Sequence, residues 1–160
     1  MWVRNLLADY GMSQEDGEEA VPWGRASSPL VIDNRVVVPL GGPRDKRCIT
    51  LLALDADTGE TIWESGDYQV AYATPTVLEL DGRAQIVSVN EDYVSSHDIA
   101  TGRVLWDYPW EGRSDRNANV SQPHAVGPRR VFLSKGYAKG AEVIELTPQI
   151  DSLWDVESVW

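Results

Sequence analysis

The sequence predicts an all-β fold of repeated four-stranded antiparallel sheets, and three observations carry that prediction. A segment recurs without a gap: residues 53–63 superpose on residues 96–106, with Asp98, Thr101, Gly102 and Trp106 each 43 positions after Asp55, Thr58, Gly59 and Trp63. A second ruler agrees, because Pro29, Pro75 and Pro123 each precede a short apolar run, at spacings of 46 and 48 residues. Within each period, β-branched residues cluster in short runs broken by Gly, Asp and Asn, which is the pattern of strands. No helix is expected.

The elements follow in chain order. Residues 2–6 read as a leading strand, the last of a preceding unit, with Trp2 in the place that Trp63 and Trp106 hold later. The first unit, 28–64, divides into strands at 29–32, 35–39, 50–55 and 61–64. The middle unit, 74–106, is the clearest: strands at 74–80, 84–90, 93–98 and 104–106 are separated by Asp81-Gly82, Glu91-Asp92 and Thr101-Gly102. The third, 120–160, has strands at 120–126, 130–134 and 141–147 and a fourth near the C-terminus, where Trp160 takes the repeat position. Four strands in about 45 residues, repeated, is the arrangement of a β-propeller, in which radial repetition protects the sheet edges. Three blades plus a leading strand fall short of the roughly four to eight that close a ring. Residues 1–160 are therefore expected to be one part of a longer propeller, with the remaining blades as neighbours.

The docking segment has a local physical account. Thr58-Gly59 and Thr101-Gly102 supply turns in which Gly takes a positive φ, and Asp57 is placed to bond the turn amides. Each hairpin then lifts a Trp whose large ring can fill the groove between blades and whose indole N–H requires a partner.

The pattern Ala-x-Asp-x-x-Thr-Gly-x-x-x-Trp at 53–63, and its near copy at 96–106, resembles the tryptophan-docking motif of pyrroloquinoline-quinone-like (PQQ-like) propeller repeats, in the quinoprotein alcohol dehydrogenase-like superfamily. Residues 119–140, with Ser134-Lys135-Gly136-Tyr137-Ala138-Lys139-Gly140, also resemble a subgroup with a Ser-x-Gly-Tyr-x-x-Gly turn in one blade. The resemblance implies that Trp2, Trp63, Trp106 and Trp160 staple adjacent blades, with Asp55, Thr58, Gly59, Asp98, Thr101 and Gly102 shaping their turns. It further implies an extracytoplasmic, periplasmic setting and a non-catalytic scaffold for protein or glycan partners, of the broad type of the BamB outer-membrane assembly scaffolds. The alternative it raises is part of a PQQ-dependent dehydrogenase whose site is completed by other blades.

Composition narrows the classes. Fourteen Lys and Arg stand against 25 Asp and Glu, a formal net charge of −11, so a phosphate backbone would be repelled and nucleic acid is not a partner. No run approaches the roughly 20 apolar residues of a membrane span, and the N-terminus has no signal-peptide pattern. Cys48 alone forms no internal disulfide, and Cys48, His97 and His124 are too few for a structural zinc module.

Candidate chemistry is sparse. Neither the adjacent-cysteine disulfide nor a clear calcium set of quinoprotein dehydrogenases is present; Asn90, Glu91 and Asp92 offer oxygens but read as a solvated turn. PQQ and calcium belong only to the dehydrogenase alternative, and the favoured reading needs no cofactor and is not an enzyme. His97 reads as a satisfied strand residue. Arg44, Lys46, Arg47, Arg113, Arg116, Lys135 and Lys139 fall in loops of one expected rim. There, Arg116, Asn119, His124, Lys135 and Tyr137 are expected to converge as a ligand rim near one end of the central channel, because loops on a rigid scaffold commonly carry binding.

Overall fold

The computed structural model describes residues 1–112, 118–151 and 153–160. Three four-stranded antiparallel sheets follow one another along the chain, each in plain sequential order. The first comprises β1 (Leu30–Ile32), β2 (Arg35–Gly41), β3 (Ile49–Asp55) and β4 (Thr61–Ser65). The second comprises β5 (Thr76–Leu80), β6 (Arg83–Val89), β7 (Tyr93–Asp98) and β8 (Val104–Pro109). The third comprises β9 (His124–Gly127), β10 (Arg130–Lys135), β11 (Gly140–Thr147) and β12 (Asp155–Ser158). The all-β propeller-blade architecture expected from the repeat is thus observed.

Local chemistry explains the hairpins. Asp33 and Asn34 both take positive φ between β1 and β2, as do Asp81 and Gly82 between β5 and β6, and these are residue types that tolerate the left-handed region. The sheets then stack through their faces. Val37, Leu51, Ala53 and Trp63 of the first sheet pack with Ile86 of the second. A larger core joins the second and third, with Val87, Val94, Leu105 and Trp106 against Val131, Leu133, Ile144 and Leu146. Inner strands adjoin through the Asp81 N–H to Pro128 carbonyl bond, and outer strands through the Trp154 N–H to Leu105 carbonyl bond at 2.8 Å.

The N-terminal segment departs from expectation. Residues 2–5 form no strand, and two short helices follow, α1 (Leu6–Asp9) and α2 (Gln14–Ala20). Their starts are capped: the Asn5 side chain accepts from Ala8 N–H, and Ser13 and Asp16 form a reciprocal capping box. Leu6, Leu7, Tyr10 and Met12 pack on Leu40, Ile49, Leu52 and Leu54, so the segment covers a face of the first sheet as a helical lid and not as a strand. In the third unit the first strand begins only at His124, after Pro123, instead of at residue 120.

Candidate functional site

The repeated motif builds the same device twice. Asp55 Oδ1 accepts from the amides of Asp57 and Thr58 at 2.9 and 2.8 Å, and Asp98 Oδ1 accepts from those of Ala100 and Thr101 at 3.1 and 2.8 Å. The turn amides are therefore bonded by the first Asp of the motif and not by Asp57. Those bonds, Thr58's first, hold the Asp55 carboxyl below its usual range. For Asp98, burial pushes upward, but bonds from Thr101 and Arg83 outweigh it. A β-bulge precedes each Trp, skipping Ile62 in the first sheet and Leu105 in the second, and this re-aims the ring. Trp2 Nε1 donates to the Ala56 carbonyl at 2.9 Å and Trp63 Nε1 to the Ile99 carbonyl at 3.2 Å, at equivalent motif positions. A Cβ on Gly59 would lie 2.5 Å from the Trp2 ring, and one on Gly102 would lie 2.7 Å from the Trp63 ring. Each Gly thus serves two needs, its positive φ and the indole lying on it.

Trp106 and Trp160 differ. Trp106 is fully buried, but its Nε1 donates to Gln85 Oε1 at 2.9 Å within its own sheet. No Thr-Gly turn exists in the third unit to receive it. Trp160 lies beyond β12, where the Val143 carbonyl accepts from both the Val159 and Trp160 N–H groups, but it is 72% exposed and no turn receives its ring.

The five expected rim residues do not form one cluster. Lys135 shares a face with Val131 and Leu133 and points into the groove between the second and third sheets. His124 pairs with Phe132, three residues from Lys135 along a regular stretch of β10, so it occupies the opposite face and is exposed. Arg116, like Arg113, lies outside the described residues. Asn119 is buried, its Nδ2 donating to the carbonyls of Asn90, Glu91 and Trp110 at 2.9, 3.0 and 3.2 Å, so it ties these carbonyls together in the interior.

Lys135 and Tyr137 do meet, at a cavity of about 690 Å³ lined also by Asp92, Tyr93, Glu111 and Lys139. The Lys135 side chain is nearly buried, and its Nζ donates to the Glu111 carbonyl at 2.6 Å. Burial first, then the neighbouring Lys139 charge, lowers its pKa, while Asp92 and Glu111 act in the opposite sense. Lys139 Nζ stands 5.1 Å over the ring of Trp110, a cation–π contact. Asp92 Oδ1 accepts from Gly112 N–H at 3.1 Å. Tyr93 stacks on Tyr68 with centroids 4.4 Å apart, and Tyr68 donates to Asp107 at 2.9 Å. Tyr137 and Ala138 form the hairpin tip with φ of 58° and 63°, a conformation costing about 1–2 kcal/mol for each L-residue with a Cβ. Trp110 is 2% exposed. Lys139 was legible as a rim cation, but its pairing with Trp110 spans 29 positions and two sheets, which no local pattern encodes.

One other sequence reading changes. Asn90 and Glu91 are buried and are not a solvated turn. Both Glu91 carboxylate oxygens accept from Arg44, at 2.9 and 3.0 Å, and Asn90 Oδ1 accepts from Ser88 at 2.8 Å, so these oxygens are already engaged and do not fit a calcium shell. Among the described residues, no group of three or more His, Cys, Asp and Glu side chains is placed to hold a metal ion. His97 sits in a buried polar chain: Ser88 donates to Asn90, Asn90 Nδ2 to Ser95 at 2.8 Å, and Ser95 to His97 Nε2 at 2.9 Å. Because Ser65 Oγ donates onward to the Gly102 carbonyl, it accepts from His97 Nδ1–H at 2.6 Å, which assigns the tautomer. Burial lowers the imidazole pKa to about 4, the Gly102 carbonyl partly opposing. No helix among the described residues is long and apolar enough to cross a membrane.

Comparison with known proteins adds a family. The family described as outer membrane protein assembly factor BamB matches residues 13–155. Among solved structures, the crystal structure of BamB from Moraxella catarrhalis aligns with a TM-score of 0.45 and 16% identity, over 85% of this chain and 51% of that one. The chain thus spans about half the length of that structure. No curated protein matches.

Proposed function

Because the chain belongs to the outer membrane protein assembly factor BamB family, we propose that it is part of a non-catalytic, extracytoplasmic propeller scaffold that holds a protein partner at the cavity between its second and third blades. The observation that carries this reading is Lys135: a nearly buried ammonium with one carbonyl partner, set at the mouth of a cavity lined by aromatic rings and charges of both signs. Such a lining suits recognition, since ammonium groups and carboxylates orient a ligand while tyrosine faces supply contact area. The histidines support it too. His97 has both ring nitrogens engaged in the interior, and His124 lies on the face of the third sheet away from the cavity.

In-cell crosslinking of the full-length parent tests the proposal, with Tyr137 replaced by a photoreactive phenylalanine. The expected result is one protein adduct that disappears when Lys135→Met is added, with no adduct from the same group placed at Glu157 on the outer strand. Equal adducts from both positions, an adduct to glycan alone, or none would overturn it. Addition of PQQ is expected to change neither absorbance nor Tm; a saturable change in either would favour the dehydrogenase reading.

A further inference from the structure

We infer that the cavity between the second and third blades takes a carboxylate carried by an extended protein segment, held by the ammonium groups of Lys135 and Lys139. The inference rests on the scaffold reading above and names the chemistry of the partner at that site.

Four charged residues line the cavity: Asp92, Glu111, Lys135 and Lys139. They are not paired with one another; among the described residues, neither ammonium forms an ion pair with a carboxylate. An ammonium carries three donor hydrogens, and Lys135 commits one, to the Glu111 carbonyl. Lys135 lines the cavity with 7% of its surface exposed, so its two remaining donors are left to whatever occupies that space. Lys139 adds a second positive charge, held over Trp110. An incoming carboxylate supplies acceptors to both and favours the charged form of Lys135, which burial first and the Lys139 charge second disfavour.

The rest of the lining selects among anions. Asp92 and Glu111 beside the lysines disfavour a dianion such as phosphate, and the net charge of −11 disfavours a polyanion. They suit a single carboxylate flanked by peptide N–H groups, which can donate to the second oxygen of Asp92. Tyr93 and the 62% exposed Tyr137 provide faces for the aliphatic parts of such a segment. Tyr137 stands at the first of two positive-φ tip positions, where other turns of this chain carry Asp33 and Asp81, a residue type that adopts positive φ with less strain. Its ring is displayed at the cavity despite that backbone.

The test is a titration of the uniformly ¹⁵N-labelled chain, read by amide shifts, with acetyl-Leu-Ala-Glu-Ala-Leu-amide, its Gln counterpart, sodium phosphate and sodium glucuronate. The Glu peptide is expected to shift the amides of Gly112 and residues 135–139 saturably, at least tenfold more tightly than the Gln peptide. Lys135→Met and the more exposed Lys139→Gln are each expected to erase that preference; if Lys135→Met fails to fold, Lys139→Gln alone decides. Equal binding of both peptides at these amides overturns the carboxylate inference and leaves the scaffold reading standing. Phosphate or glucuronate shifting the same amides as tightly as the Glu peptide overturns the choice of a protein segment. Cavity amides that respond to no probe overturn the inference, and crosslinking at position 137 then judges the scaffold reading separately.

Discussion

At the scale of single residues, the most constrained positions are the glycines under the docked tryptophans. Gly102 has a φ of 73° and the Trp63 ring above it, so Gly102→Ala meets backbone strain and a clash together. We expect it to cost about 2–4 kcal/mol, combining roughly 1–2 for the left-handed conformation with 1–2 for overpacking. Trp63→Ala should cost about 3–5 kcal/mol through loss of a large packed ring. In urea denaturation the double variant should lose less than the sum, since removing the ring removes the clash; strict additivity would contradict the contact. His97 makes a pH prediction whose sign follows from its burial. The folded imidazole titrates at about 4, below the ordinary 6.5, so neutral His97 contributes stability fully above pH 6.5 that is lost as pH falls towards 4. The full contribution is about 3 kcal/mol. Comparing stability between pH 7 and 4 in the native chain and in His97→Gln should show a shallower fall in the variant; parallel curves would contradict the assignment.

At the scale of elements, the β10–β11 hairpin carries unrelieved local strain. Ala138 has a φ of 63° and is exposed, so Ala138→Gly removes a Cβ from an unfavourable conformation without opening a cavity in a core. A gain of about 1 kcal/mol is expected, partly offset by the greater freedom of Gly in the unfolded chain. Thermal unfolding should show Tm higher by roughly 2–4 °C, whereas an unchanged or lowered Tm would mean that the strain is taken up elsewhere. The first β-hairpins, with Asp33-Asn34 and Asp81-Gly82, have no comparable strain to release.

At the scale of the whole molecule, the sheets are unequally covered. The N-terminal helices lie on the first sheet, and the first and third sheets enclose the second. The outward face of the third carries His124, Phe132 and Val143 in one cross-strand row, with the bulged Val126 at 52% exposure and Trp160 at 72%. Exposed apolar surface of this kind promotes association. Light scattering after size-exclusion chromatography should find concentration-dependent self-association that Val126→Lys together with Trp160→Lys reduces. A strictly monomeric native chain at all concentrations would show the face to be inert.

What the sequence by itself determined is the periodic part of this protein. The segment 53–63 and its copy specify turn and bulge locally, within eleven residues, so the blades were legible from order alone. The N-terminal helices were not, because the match of Trp2 to the repeat position points to a strand, while the caps at Asn5 and Ser13 show only in the fold. Only the tertiary structure decided the site. Whether Lys135 and His124 share a face depends on the register of β9 against β10. Lys139 reaches Trp110 from another sheet, and Glu91 is withdrawn from solvent by Arg44, 47 positions earlier. These contacts arise where separate sheets stack, and stacking brings together side chains whose separation along the chain carries no local signal.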